Sequence, residues 1–150
     1  MNCSIFPSTG LTDGTFLSSD VAAIARLTRP NSIFARRLAA REPIEGFIAL
    51  LFDFGELIGW ARTEQWHEET EESWRTIPIT LPWNTLEAFI KQDYRGRGLA
   101  TFAAAGLVTL PTFQADNTAA VFTPSMMLLA RKVGLQPTLF REEGPKWIRA

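Results

Sequence analysis

Apolar positions change their spacing along this chain, and each change marks an element. Val21, Ile24, Ala25 and Leu27 recur at helical spacing behind the capping candidates Ser18, Ser19 and Asp20. Pro30 closes that helix, because the residue before a proline is pushed out of the helical region. Asn31 or Ser32 caps a second helix, with Ile33, Phe34, Leu38 and Ala39 on its apolar side and Pro43 beyond its end. From Phe47 to Phe52 the apolar residues run without a break, as in a strand covered on both faces. Asp53-Phe54-Gly55-Glu56 reads as a turn, and Leu57–Thr63 as the returning strand of a hairpin. A short strand is expected near Cys3–Phe6.

The second half alternates the two periods. With Pro78 and Pro82, any strand within Trp74–Trp83 is at an edge or interrupted. Leu86–Lys91 reads as a strand and Gly98–Leu110 as an alanine-rich helix that Pro111 ends. Ala119–Phe122 is a short strand. Thr123-Pro124 then opens a helix to Lys132, with proline in its first position and Gly134 as its stop. Leu135–Phe140 and Lys146–Arg149 form a closing hairpin. The order predicts an α/β class of α+β type: a central, mostly antiparallel mixed sheet flanked by helices.

Composition narrows the class without changing it. With 150 residues, 46% apolar and 21% charged, the chain reads as one ordinary globular domain, residues 1–150. A net charge of −1 argues against a generally basic nucleic-acid binder, leaving only Arg36, Arg37 and Arg41 as a local basic patch. Cys3 is the single cysteine, so neither an internal disulfide nor a cysteine-built zinc site is available. The first residues lack a basic region followed by an apolar stretch, and Leu99–Leu110 is too short to cross a bilayer. The expectation is a cytoplasmic protein with no membrane partner.

The candidate chemistry lies in LEAFIKQDYRGRGLA, Leu86–Ala100. A strand leads into Arg95-Gly96-Arg97-Gly98-Leu99-Ala100, and a helix follows at once. Glycines let a backbone approach a ligand closely, and a helix start presents free N–H groups to phosphate. The spacing is neither the dinucleotide fingerprint nor a P-loop. It resembles the acetyl-CoA-binding motif of the GNAT N-acyltransferase superfamily, Q/R-x-x-G-x-G/A, with Arg95, Gly98 and Ala100 at its fixed positions. A second stretch, Thr123-Pro124 through Lys132, Gly134 and Leu135, is similar to the family's N-P-x-A-x-x-L-Y-x-K-x-G-F.

The resemblance implies a GNAT fold and an N-acetyltransferase using acetyl-CoA or another acyl-CoA. It implies that the amides of Gly96, Arg97, Gly98, Leu99 and Ala100, with Arg95, hold the CoA pyrophosphate. Phe89, Ile90 and Lys91 would offer a backbone edge to pantetheine, and Thr123 would join the cofactor site. Direct attack by a primary amine needs a base, and Glu87, on the strand beside the thioester, is the first candidate. The tyrosine that commonly protonates the departing thiolate is replaced by Ala130. That departure keeps open an alternative, a GNAT-like binding or regulatory protein with a macromolecular partner. The acceptor expected is an amine-bearing small molecule or protein. The run Glu64–Glu72, with Trp66 and His67 inside it, would attract a cationic amine if it borders the acceptor site, and is otherwise a solvated loop. Trp60, Trp66, Trp74 and Trp83 are candidates for pocket walls or core packing. Closing strands in this family can pair between subunits, so a homodimer is also implied.

Overall fold

A computed structural model describes residues 1–30, 32–66, 83–111, 113, 118–120, 124–141 and 144–149. The elements run β1 (Asn2–Pro7), α1 (Ser18–Leu27), α2 (Ile33–Ala39), β2 (Phe47–Asp53), β3 (Glu56–Trp66), β4 (Trp83–Ile90), α3 (Leu99–Val108), β5 (Thr118–Ala120), α4 (Pro124–Lys132), β6 (Leu135–Arg141) and β7 (Gly144–Arg149). The seven described strands make one sheet in the order β1-β2-β3-β4-β5-β7-β6. All neighbours pair antiparallel except β4 and β5, which are parallel.

The continuous apolar run of β2 is explained by burial on both faces. Ile48 and Leu50 pack with Ile24 of α1 and with Phe34 and Leu38 of α2. Ala49 and Leu51 pack with Ala103, Ala104 and Leu107 of α3. The alanines that make α3 apolar all round let it lie close on the sheet. Ala130 and Leu129 of α4 belong to this same cluster.

The register of β2 against β3 slips once, so that Leu51 faces Gly59, Phe52 faces Leu57, and Ile58 is the extra residue. Such a bulge changes which face the following side chains take. Ile58 therefore joins the α3 face, while Trp60, two residues on, packs on the α1–α2 face. Gly59 sits opposite Ile90 of β4. A Cβ there would come within 2.6 Å of Ile90 Cδ1 and 2.9 Å of Phe89 O, so only glycine allows this approach.

Several boundaries differ from expectation. Ser18, Ser19 and Asp20 lie inside the first turn of α1, and Leu17 is the N-cap, with no side-chain bond. Ser32 does cap α2, its hydroxyl accepting from Ala35 N at 3.0 Å. Ile33 and Ala39, expected on the apolar side of α2, are exposed; only Phe34 and Leu38 are buried. β3 extends past Thr63 to Trp66, and β4 begins at Trp83 rather than Leu86. His67, Glu68 to Glu72, Trp74 and Thr123 lie outside the described residues.

Candidate functional site

β4 is held differently by its two neighbours. Against β3 it is paired along its whole length, from Trp66–Trp83 to Gly59–Ile90. Against β5, among the described residues, it pairs only at Asn84–Ala119 and Thr85–Ala120. The edge from Leu86 to Ile90 is thus open to a ligand among the described residues. Lys91 N donates to Ile58 O at 2.8 Å, which fixes the phase of the ladder. Bonded and non-bonded residues alternate in an antiparallel pair. Phe89 and Glu87 therefore turn their backbone groups to β3, as Lys91 does. Leu86, Ala88 and Ile90 turn theirs to the open edge. Of the expected stretch Phe89–Lys91, Ile90 is the residue whose backbone faces that side.

Beyond β4 the chain makes a short 3-10 turn, Gln92–Tyr94, and enters the glycine loop. Gly96 and Gly98 both take positive φ, 79° and 74°. Gly98 is the N-cap of α3, and a side chain in that left-handed conformation would be strained. The first helical bond runs from Phe102 N to Gly98 O at 3.0 Å. The N–H groups of Leu99, Ala100 and Thr101 precede it and have no partner within the helix. A Cβ built on Gly96 or Gly98 meets nothing within 4 Å, so the loop faces open space. Free amides, a helix N-terminus and open space suit a pyrophosphate.

The β2–β3 hairpin braces the approach to this loop. Tyr94 Oη donates to Asp53 Oδ2 at 3.0 Å, and Lys91 Nζ to Glu56 Oε1 at 2.5 Å. The two acidic residues flank the hairpin turn and face each other across it. Tyr94's hydrogen bond to the Asp53 carboxylate, then burial, hold its phenol above the usual tyrosine range. Hydrogen bonding and attraction from Glu56 likewise raise Lys91 above the usual lysine range.

The two loop arginines diverge. Arg97 Nη2 donates to Asp93 O at 3.2 Å, and its guanidinium lies 5.1 Å from the Tyr94 ring centroid. Arg95 Nε donates to Ile90 O at 2.8 Å, and its guanidinium lies 5.3 Å from the Phe89 centroid. Arg95 thus covers part of this edge of β4.

A cavity of about 530 Å³ joins this edge to the α1–α2 face of the sheet. Leu86, Ala88 and Ile90 line it from β4, as do Glu87 and Phe89. Trp60 forms part of its wall and is fixed there, its indole Nε1 donating to Thr28 Oγ1 at 3.0 Å. Thr28 Oγ1 in turn donates to Ile24 O at 2.7 Å.

Glu87, the candidate base, lines the cavity. Its Oε2 accepts from Arg62 Nε at 3.1 Å, and its side chain remains 41% exposed. Arg62 Nη1 also donates to Glu64 Oε1 at 2.8 Å, and Glu64 receives Arg37 on both oxygens, at 2.7 and 3.1 Å. Arg62 and Glu64 are buried, and the Arg62 guanidinium lies 4.3 Å over the Phe34 ring. Unpaired, either charge would be costly there; paired and hydrogen-bonded, they form a chain from α2 to the cavity.

This corrects two expectations. Glu64 is no part of a solvated acidic loop but a buried residue of β3. Arg37 turns inward to Glu64 and is withdrawn from the surface basic patch, leaving Arg36 and Arg41 exposed. Ala130 is fully buried, and Tyr94's hydroxyl is engaged by Asp53. Arg29, Ser32, Ile33, Ser125 and Met126 line the cavity and were not anticipated as site residues. Helix-end and interhelix residues carry no motif, and only the packing of α1, α2 and α4 around β4 brings them together.

No known protein family matches the sequence, and no curated protein matches it. Solved structures do match the fold. An aminoglycoside 6'-N-acetyltransferase, AAC(6')-IG from Acinetobacter haemolyticus, superposes with a TM-score of 0.61 at 18% identity, covering 94% of each chain. The putative acetyltransferase yncA from Salmonella typhimurium, solved with acetyl-CoA, gives 0.58 at 13% identity, covering 99% of this chain and 91% of its own. A ribosomal-protein-alanine N-acetyltransferase from Brucella melitensis gives 0.53 at 11% identity, covering 99% and 96%. The chain has the fold of the GNAT acetyltransferases, with the mixed sheet and flanking helices expected from its sequence.

Proposed function

We propose that this chain is an acyl-CoA-dependent N-acetyltransferase acting on a primary amine. The observation that carries this reading is the open edge of β4 placed between a glycine loop at a helix N-terminus and a cavity bearing a carboxylate. Solved structures of the same fold include acetyltransferases, among them yncA with acetyl-CoA bound.

In this reading the amides of Leu99, Ala100 and Thr101, with the loop from Gly96, hold the pyrophosphate. The backbone of Leu86, Ala88 and Ile90 receives pantetheine, and Arg95 leaves Ile90 O to make room. Acyl-CoA supplies an acyl group activated as a thioester. An N–H of the open edge polarises the carbonyl. Glu87, steadied through Oε2 by Arg62, takes the proton that the amine loses, directly or through a water. The amide N–C bond forms as the C–S bond breaks.

Ala130 favours a second reading, a protein that binds acyl-CoA and transfers slowly. Among the described residues lining the cavity there is no phenol to protonate a leaving thiolate. Thiol release from acetyl-CoA in the presence of primary amines separates the two. Glu87→Gln is expected to lower kcat by about 10²-fold or more while acetyl-CoA affinity stays within twofold. An unchanged rate removes Glu87 as the base.

A further inference from the structure

The cavity's lining carries information about the acceptor, on the reading that this is the transferase site. Its α1–α2 wall sets Ile33, Phe34 and Trp60 beside Thr28, Arg29 and Ser32. Phe34 and Trp60 meet at 4.9 Å between ring centroids, with Trp60 pinned by Thr28 and Phe34 capped by Arg62. Phe89 continues this wall on β4. Ile33, at the start of α2, leaves 64% of its surface exposed, unusual for a large apolar residue beside a cavity. A ligand with an aromatic or branched apolar group would cover it.

The charges in the lining point the same way. Glu87 is the one carboxylate among the described lining residues, and Arg62 already neutralises one of its oxygens. Arg29 and Arg95 line the same cavity. Arg95 is engaged by Ile90 O, whereas Arg29's guanidinium has no partner among the described residues. Its backbone is fixed by the buried C-cap Thr28 before it and by Pro30 after it. Two arginines in the lining oppose a polycation. An ionised carboxylate on the acceptor would give Arg29 the partner it lacks.

We propose that the acceptor is an amphipathic amino acid: a primary amine for Glu87, an apolar side chain for Ile33 and Phe89, which stand over the buried Phe34–Trp60 pair, and a carboxylate for Arg29. The test measures acetyl-CoA binding by calorimetry. It then compares kcat/KM for L-phenylalanine, L-leucine, phenethylamine and spermidine, with Arg29→Gln alongside the parent protein and melting temperature reporting the fold of each. The proposal expects L-phenylalanine or L-leucine to exceed both phenethylamine and spermidine by about tenfold or more. It expects Arg29→Gln to erase most of the preference for L-phenylalanine over phenethylamine, as loss of a charge-assisted bond should. A preference for spermidine, an undiminished preference for L-phenylalanine in Arg29→Gln, or acetyl-CoA binding with none of these amines used overturns the acceptor assignment and leaves the transferase reading standing. Absence of acetyl-CoA binding overturns both.

Discussion

Tyr94 is the chain's single tyrosine, so its ionisation can be followed without ambiguity by phenolate absorbance. Its bond to Asp53 keeps the proton on, because ionisation would set two negative charges against each other. The native midpoint is expected above about 10, the ordinary value, and Asp53→Asn should bring it down toward that value. Because the folded pKa is raised, the bond's contribution to stability is full below the unfolded midpoint. It fades as pH rises through the folded one. A native midpoint at or below that of the unfolded chain would contradict the brace between hairpin and loop. At this scale the sequence was a partial guide. Tyr94 could be placed in the approach to the glycine loop, but its partner lies 41 residues away and no local pattern announces it. Glu64 is the sharper case. It stands at the head of a run of glutamates, yet alternation along β3 puts it on the same face as Arg62, and α2 brings Arg37 over it. Charge runs are read as solvated because most are; here the strand continues past where the glutamates begin.

Elements were legible where local chemistry and tertiary packing agree. The turn between β2 and β3 is an instance, and it also stores a correctable flaw. Its two central residues, Phe54 and Gly55, both take positive φ, 49° and 77°, the pairing of a tight hairpin turn. Glycine suits that conformation and phenylalanine does not, and Phe54 is fully exposed, so nothing offsets the strain. Phe54→Asn should therefore stabilise the protein by roughly 0.5–1 kcal/mol, raising Tm by about 1–4 °C. A lower Tm would mean that the turn is not strained as described. The edges of elements were less legible. Three capping residues in a row, Ser18 to Asp20, fall inside α1, whose N-cap is Leu17 with no side-chain bond. The bulge at Ile58 left no mark in a strand that is apolar on both sides, yet it decides which face Trp60 joins.

At the scale of the molecule, the sequence carried the class of fold through the order of its elements and the site through one loop. It did not carry the cavity. Glu87 stood out only by its neighbourhood to the loop, and Arg29, Ile33 and Ser125 were silent, because three helices distant in sequence must pack before those residues share a space. What matters is the edge of β4 from Leu86 to Ile90, which no described residue of β5 pairs. It lies between the amides of α3 on one side and the α1–α2 pocket on the other. That arrangement makes one demand: acyl-CoA must bind, and must bind through the Gly98 loop. The most direct measurement is calorimetric titration of acetyl-CoA into the parent protein and into Gly98→Glu, with Gly98→Ala as the control for backbone strain. A Cβ at Gly98 meets open space, so Gly98→Ala should cost only about 1 kcal/mol of stability and still bind. Saturable binding to the parent is expected, and its loss in a folded Gly98→Glu, whose carboxylate would stand against pyrophosphate. Equal affinity in the parent and a folded Gly98→Glu, or no binding to the parent at all, would rule out a cofactor site at this loop.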